Sequence, residues 1–177
     1  FQWIKSWDEV WDEGFISRWR ELVLGSPMSH VYFEPALCRA WYETFRRFRP
    51  IQPRFLVATC CNSDGSKGTI MYPFVLDTGT WKDGWQRLIY PVGEHGFDYH
   101  DPISSFAVTG DLCRSFFAQL HQEICRLDDK IDGILIPRIR ESWVDAKNVI
   151  FQPVNRAPHL DLTKFDSYDN FLKSLPK

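Results

Sequence analysis

The stretch VGEHGFDYHDPI, residues 92–103, concentrates chemically active groups between two apolar segments. It contains three carboxylates, two histidines and a tyrosine. Carboxylates attract cations and accept hydrogen bonds, imidazole can bind a metal or transfer a proton, and a phenol can donate a hydrogen bond. The loop residues that we single out as candidates for substrate binding are His95, Asp98, Tyr99, His100 and Asp101.

A metal site is one interpretation of this loop, since imidazole and carboxylate are common ligands. The spacing of its histidines and aspartates fits no established ligand motif, and we predict no metal here. A structural interpretation is that Asp98 and Asp101 cap turns while Tyr99 packs, and Asp101 followed by Pro102 is itself a turn signal. Substrate contact and turn formation both stay open at this point.

Three candidates lie outside the loop. Trp81 and Trp85 fall in a predicted hairpin connection, where exposed aromatic rings can stack on a sugar or contact a partner. Arg138 follows the apolar run GILI and, with Arg140, could neutralise an anionic substrate. An ion-paired or solvated surface role is the alternative for both arginines. Cys60 and Cys61 have no neighbouring base or helix start to activate them, so we interpret them as small buried residues.

The helices that must position these groups follow from hydrophobic periodicity. One helix is predicted over residues 7–23, and its apolar stripe consists of Trp7, Trp11, Phe15, Trp19 and Leu22. A second helix is predicted to begin at Pro35, with a buried side of Leu37, Trp41, Tyr42, Phe45 and Phe48. A third helix is predicted over residues 111–127. The tryptophans predicted to be core residues are Trp7, Trp11, Trp19 and Trp41.

The strands lie between the second and third helices and after the third. Residues 54–61, 68–76 and 86–92 are rich in β-branched and aromatic residues and are separated by turn-forming runs, which predicts an antiparallel meander. A buried strand is predicted at 131–136, a short helix at 140–147 and closing strands after it. The predicted fold class is α/β (α+β), with a central mixed sheet and helices on both faces.

Composition narrows the class of protein. With 177 residues, 44% of them hydrophobic, the chain can bury one substantial core. A formal charge of -2 argues against a nucleic-acid surface. No apolar run approaches the roughly 20 residues of a membrane span, and five cysteines without a C-x-x-C pair indicate reduced thiols. We therefore expect a soluble, cytoplasmic protein with no nucleic-acid partner and no membrane span.

The order of elements resembles the GNAT fold of N-acyltransferases. The runs PRFLVATC, GTIMYPFVL, GFDYHDPI and IDGILIPRI, after a tryptophan-rich helix, are similar to the N-terminal half of FemAB-like acyltransferases of cellulose and exopolysaccharide biosynthesis. The resemblance implies a GNAT-like domain over residues 1–165. It also implies that residues 166–177 begin a helix leading into a second, C-terminal GNAT-like half of the same chain.

In a GNAT domain the coenzyme loop reads Arg/Gln-x-x-Gly-x-Gly/Ala, because backbone amides must cradle a pyrophosphate. Residues 92–110 contain Gly93 and Gly96 without that spacing, and they contain acids but no lysine or arginine. We therefore expect no cofactor in this chain and assign acyl-CoA or another acyl donor to the second half. In FemAB-like proteins the equivalent loop carries an acid and an aromatic residue facing the acceptor, which by resemblance are Asp98 and Tyr99, with Asp101 as the alternative acid.

The resulting hypothesis is a non-catalytic, acceptor-binding domain of an N-acyltransferase, whose acceptor is a small-molecule amine or an amino sugar. The alternative is a stand-alone sugar-binding or partner-binding module that reads its ligand through Trp81, Trp85 and the 94–101 loop. A third option is an active single-domain GNAT enzyme with a divergent coenzyme loop.

Overall fold

The computed structural model describes residues 1–61, 65–79, 84–94, 96–127 and 130–140, and the single positions Trp143, Ser167, Asn170 and Lys173. Over these ranges the chain is a mixed α/β structure, in which helices cover both faces of one mixed sheet. The predicted class is confirmed at that level. No helix in this part of the chain combines the length and the apolar character needed to cross a membrane.

The described ranges contain four α-helices and six strands. The helices are α1 (Trp7–Val10), α2 (Glu13–Gly25), α3 (Pro35–Phe45) and α4 (Gly110–Arg126), with one turn of 3-10 helix at Val31–Phe33. The strands are β1 (Gln2–Ile4), β2 (Ile51–Cys61), β3 (Lys67–Asp77), β4 (Leu88–Pro91), β5 (Ile103–Ser104) and β6 (Gly133–Ile134).

The strand order is β1-β2-β3-β4-β6, and β5 also pairs with β3. β2 and β3 form a long antiparallel hairpin, in register from Ile51 opposite Asp77 to Cys61 opposite Lys67. β4 lies antiparallel to β3, so the predicted meander is confirmed. After α4 the chain returns as β6, which is parallel to β4 and makes the sheet mixed.

The two faces of the sheet carry separate apolar cores, because successive residues of a strand point to opposite sides. Met71 and Val75 of β3 pack with α1, α2 and α3, whereas Tyr72 and Phe74 pack with α4. The four tryptophans predicted to be core residues lie in the first core or pack against it: Trp7, Trp11, Trp19 and Trp41.

The prediction of one helix over residues 7–23 is wrong, because the structure divides it into α1 and α2. Asp12 separates them: its Oδ1 accepts a hydrogen bond from the amide of Phe15 at 3.0 Å and so begins α2. A capping aspartate offers the backbone an alternative to continued helix. The predicted burial of Phe48 is also wrong, since α3 ends at Phe45 and Phe48 is 77% exposed.

The predicted buried strand at 131–136 is shorter and more exposed than expected. It is present as β6 alone, and Ile134 is 37% exposed. The predicted helix at 140–147, the closing strands and the helix over 166–177 lie outside the described residues, apart from single positions. Two candidate site residues, Trp81 and His95, also lie outside them.

A buried carboxylate lies at the C-terminal end of β3. Asp77 is 4% exposed, and its Oδ2 lies 3.0 Å from both the Tyr90 hydroxyl and Arg49 Nη1. Its Oδ1 accepts a hydrogen bond from the amide of Gly79 at 2.9 Å. Burial raises the pKa of Tyr90, so its hydroxyl remains a neutral donor. We call Arg49, Asp77, Gly79 and Tyr90 the Asp77 cluster.

Candidate functional site

The 92–102 loop interrupts a strand. β4 and β5 both pair antiparallel with β3, with Pro91 opposite Phe74 and Ile103 opposite Met71. The chain between them leaves the sheet after the amide of Val92 donates to the Pro73 carbonyl at 2.8 Å. The loop is therefore fixed at both ends by the same neighbouring strand.

Gly93 makes the turn that opens the loop. It has φ +90°, and a Cβ at this position would lie 2.1 Å from the Phe97 ring. Its carbonyl accepts hydrogen bonds from the amides of Gly96 and Phe97, each at 2.8 Å. The positive φ and the close ring both require glycine. In the observed loop, Gly93 serves to pack Phe97.

Asp101 is buried and ion-paired. It is 2% exposed, its Oδ1 accepts from the amide of Arg140 at 2.7 Å, and its Oδ2 accepts from Arg140 Nε. Arg140 Nη2 also donates to the Met28 carbonyl at 2.9 Å. Burial raises the pKa of Asp101, and Arg140 opposes that rise. This pair ties the loop to the segment before α3, and it leaves Asp101 turned away from solvent.

Asp98 has the opposite environment, three residues earlier. It is exposed, and its Oδ2 accepts a hydrogen bond from the hydroxyl of Tyr32 at 2.6 Å. That bond raises the pKa of Tyr32, because it favours the protonated phenol. The carboxylate is thus held in one orientation while it faces solvent.

Aromatic rings pack around Tyr32, the hydrogen-bond partner of this carboxylate. The Tyr32 ring stacks on Phe97 with centroids 5.0 Å apart, and it lies 6.4 Å from the half-buried ring of Tyr99. The other side of Tyr99 meets His30 at 5.3 Å and the guanidinium of Arg140 at 5.5 Å. The loop and the 30–33 segment together form one aromatic surface with an acid at its rim.

Two neutral histidines lie beneath that surface. His100 is 3% exposed, and neither of its ring nitrogens nor those of His30 has a hydrogen-bond partner of good geometry among the described residues. Burial lowers the pKa of each to about 4. Arg140 lowers the pKa of His30 further, and Arg138 does so for His100, where the Gly93 carbonyl acts in the opposite direction. Both imidazoles are therefore uncharged at neutral pH.

The backbone of His100 is anchored even though its ring nitrogens are not. Its amide donates to the Arg138 carbonyl at 2.8 Å, and its carbonyl accepts from the hydroxyl of Tyr72. Burial raises the pKa of Tyr72, which stays a neutral donor. The position of the imidazole is consequently set by the sheet and by the strand-end segment that contains Arg138.

Arg138 supplies a cation to a loop that contains none. Its side chain is exposed, and Nη1 donates to the carbonyls of Phe97 at 2.7 Å and Glu94 at 3.4 Å. Residues 92–110 contain no lysine or arginine, but the fold brings Arg138 and Arg140 to this loop. Asp101 neutralises Arg140, so Asp98 and Arg138 carry the exposed opposite charges.

The structure brings together Asp98, Tyr99, His100, Asp101 and Arg138, and it places Trp85 elsewhere. Trp85 is 69% exposed with φ 61°, in the connection beyond the pair Asp77 and Leu88. The loop leaves the sheet opposite Tyr72 and Pro73, about 15 Å further along β3 at roughly 3.4 Å a residue.

Sequence reasoning did not single out His30 and Tyr32. They lie in SHVYF, between α2 and α3, where a turn-forming run indicates only a connection. The one pattern that could have indicated them is the alternation of polar aromatic and apolar residues in SHVYF, a segment too short to predict a strand or an α-helix.

The described residues contain no group of three or more histidine, cysteine, aspartate and glutamate side chains arranged to hold a metal ion. A shallow depression of about 370 Å³ lies apart from the loop, between α2 and the sheet, and none of the candidate residues lines it. The chemistry available at the loop is therefore that of an exposed carboxylate, an exposed guanidinium cation and aromatic rings.

Comparison with known proteins does not assign this geometry to a family. No protein-family model, no curated protein sequence and no solved structure matches the chain. Function is therefore inferred from the contacts and charges of the described residues.

Proposed function

We propose that this chain is the acceptor-recognising, GNAT-like half of a FemAB-type N-acyltransferase, with the 92–102 loop as its acceptor surface. The reaction is transfer of an acyl group from a thioester or aminoacyl donor to an amine, including the amine of an amino sugar. The observation that carries the proposal is the exposed Asp98 carboxylate, which is bonded to the hydroxyl of Tyr32, a tyrosine whose own ring stacks on Phe97 and lies near Tyr99.

A primary amine suits this surface, because it is an ammonium ion at neutral pH. A carboxylate binds ammonium through charge-assisted hydrogen bonds, and aromatic faces attract it. The Tyr32 hydroxyl bonds to Oδ2 of Asp98 at 2.6 Å, and Oδ1 has no partner among the described residues. One oxygen thus fixes the carboxylate while the other is available to the ligand.

The same surface is poorly suited to removing the proton that the attacking amine must lose. His30 and His100 have pKa values of about 4 and buried ring nitrogens, whereas a general base works best with a pKa near the working pH. We therefore assign donor binding and proton removal to the second GNAT-like half that the resemblance implies, with acyl-CoA as the candidate donor.

The order of elements is compatible with this assignment. Helices α1–α3 precede the antiparallel β2–β4, and α4 then leads to the parallel β6. The alternative of a sugar-binding module requires Trp85 and the loop to act on one ligand. Their separation along β3 makes that arrangement less suitable than a single acceptor surface around Asp98.

The proposal is tested by acyl transfer from acetyl-CoA to a panel of primary amines and amino sugars, catalysed by a protein that contains this chain together with the second GNAT-like half. Asp98→Asn should raise KM for the amine at least tenfold and change kcat much less, because it removes a binding charge and retains the shape. Asp111→Asn on α4 is the matched control, an exposed aspartate paired with Arg114 away from the loop, and it should leave KM unchanged. Equal KM values for Asp98→Asn and the parent protein would contradict the proposal, as would tight, stoichiometric acetyl-CoA binding by the 177-residue chain.

A further inference from the structure

We propose that the ligand of the 92–102 loop is a zwitterion, whose ammonium group binds Asp98 and whose carboxylate binds Arg138. This inference rests on the proposed function for the ligand's role as acyl acceptor, whereas the mode of binding is a separate claim. It narrows the acceptor from amines in general to amines that carry a carboxylate one or two carbon atoms away.

Asp98 and Arg138 carry opposite charges at the surface of one loop without pairing. Asp98 bonds to the hydroxyl of Tyr32. Arg138 bonds to two backbone carbonyls, those of Phe97 and Glu94, and its remaining guanidinium N–H groups have no partner among the described residues. Exposed arginine and aspartate side chains within reach of each other ordinarily rotate to form an ion pair, and here other bonds hold both in place.

Covalent geometry limits the gap between the two charges. Arg138 Nη1 lies 2.7 Å from the carbonyl oxygen of Phe97, and that peptide leads directly into Asp98. Adding the spans from this oxygen to the Asp98 Cα and on to its carboxylate gives at most about 9 Å. A ligand bonded to both groups at about 2.8 Å bridges gaps up to roughly that limit when its own charges lie about 3 Å apart, as in α- and β-amino acids.

The hydrogen bonds that hold these charges apart also prepare them for a ligand. A group already fixed in its binding orientation loses little conformational freedom when the ligand arrives. Tyr32 does this for the acid, and the two carbonyls do it for the guanidinium.

His100 lies close to both charges. Asp98 raises the pKa of its imidazole and Arg138 lowers it, so the fields of both charges reach this ring. The imidazole is 3% exposed and its nitrogens are buried, so it offers the ligand no direct contact.

Direct binding of three small probes to the parent chain tests the inference without any substitution. The probes are β-alanine, which carries both charges, ethylamine, which carries only the ammonium, and propionate, which carries only the carboxylate. Titration followed by calorimetry or by amide shifts of residues 96–101 should give at least tenfold tighter binding of β-alanine than of either single-charge probe.

Substitutions then assign each charge to its partner. Asp98→Asn should remove the preference of β-alanine over propionate, and Arg138→Gln should remove its preference over ethylamine. Arg138→Lys keeps the charge and should retain most of that second preference. The matched pair on α4, Asp111→Asn and Arg114→Gln, lies away from the loop and should leave all three affinities unchanged.

The outcomes separate this inference from the proposed function. If β-alanine binds no more tightly than ethylamine, the zwitterion is wrong and an amine acceptor remains. If β-alanine is preferred at Asp98 and Arg138 but a protein that contains both halves never acylates it in the presence of acetyl-CoA, the binding mode stands and the acyltransferase proposal is wrong. If none of the probes binds, the zwitterion site is wrong whatever the enzyme does.

Discussion

The Asp77 cluster and the 92–102 loop are both polar structures built on β3, and they differ in how completely their hydrogen bonds are satisfied. In the Asp77 cluster the buried carboxylate meets an arginine, a tyrosine hydroxyl and a backbone amide, at 2.9 to 3.0 Å. In the loop, Asp101 is paired as fully with Arg140. The two imidazoles lack hydrogen-bond partners of good geometry among the described residues. The exposed charges of Asp98 and Arg138 do not pair with each other.

This difference separates a structural polar site from a site prepared for a ligand. A carboxylate whose oxygens already have three partners has little capacity left to bind a ligand. Its removal is costly, because it takes a hydrogen-bond acceptor away from partly buried groups. Groups held in place but left without partners keep their binding capacity. Within the loop, Asp101 anchors the site and Asp98 faces the ligand.

The largest expected effect comes from breaking the saturated cluster. Asp77→Ala should lower the free energy of unfolding by about 3–5 kcal/mol, because it leaves Arg49 partly buried without its counter-charge and Tyr90 without an acceptor. Urea unfolding at pH 7 measures this. The control Asp111→Ala, on an exposed aspartate, should cost less than about 1 kcal/mol. A loss at Asp77 no larger than the control would contradict the claim that the Asp77 cluster stabilises the fold.

Acid should weaken the packing of the loop. His100 has a pKa of about 4 in the folded chain against 6.5 for an ordinary histidine, so the unfolded chain binds its proton first as pH falls. Stability is complete above pH 6.5 and declines toward pH 4, by about 3 kcal/mol from this residue. His100→Phe should remove that part of the decline in urea titrations over this range. Parallel pH profiles for the two proteins would show that the imidazole is not buried.

Burial of Asp101 acts in the opposite direction and has to be separated from the histidine effect. Its raised pKa means that the folded chain holds the carboxyl proton more tightly than the unfolded chain does. The contribution of Asp101 to the free energy of unfolding therefore falls as pH rises through the ordinary pKa of an aspartate. The difference between the parent chain and His100→Phe cancels this contribution, because both proteins keep Asp101 and Arg140.

Two glycines of the loop give a matched test of its rigidity. Gly93→Ala should cost about 2–3 kcal/mol, because the position has φ +90° and its Cβ would meet the Phe97 ring. A Cβ at Gly96 meets nothing within 4 Å, so Gly96→Ala should cost less than about 1 kcal/mol. Thermal unfolding of both variants compares them. Equal losses would mean that the loop adapts, and would weaken the case that Asp98 and Arg138 are fixed.

Local pattern predicted the elements, and long-range contacts decided the site. The period of apolar residues was sufficient for α3, α4 and the β2–β4 meander. It missed the division at Asp12, because a capping hydrogen bond depends on backbone conformation that hydrophobicity does not report. It also missed the partnership of Tyr32 and Asp98, which are 66 positions apart.

The two aspartates of the loop show the same limit more sharply. Asp98 and Asp101 are alike in type and flanked by similar residues, and the sequence offered both as acids that contact the ligand. Arg140, 39 positions away, pairs with Asp101 and draws it into the interior. That pairing decides which acid faces solvent. The sequence could therefore narrow the site to the loop, but it could not show which of the two aspartates is exposed.

The smallest expected effect on stability is also the most specific to function. Asp98→Ala should change the free energy of unfolding by no more than about 0.5 kcal/mol, because the residue is exposed and its one bond is to a hydroxyl that water can satisfy. The same substitution should abolish the preference for ligands that carry an ammonium group. A loss above about 2 kcal/mol would place Asp98 with Asp77 and Asp101 as an anchor, and the contrast between the two polar structures of β3 would then no longer identify a binding site.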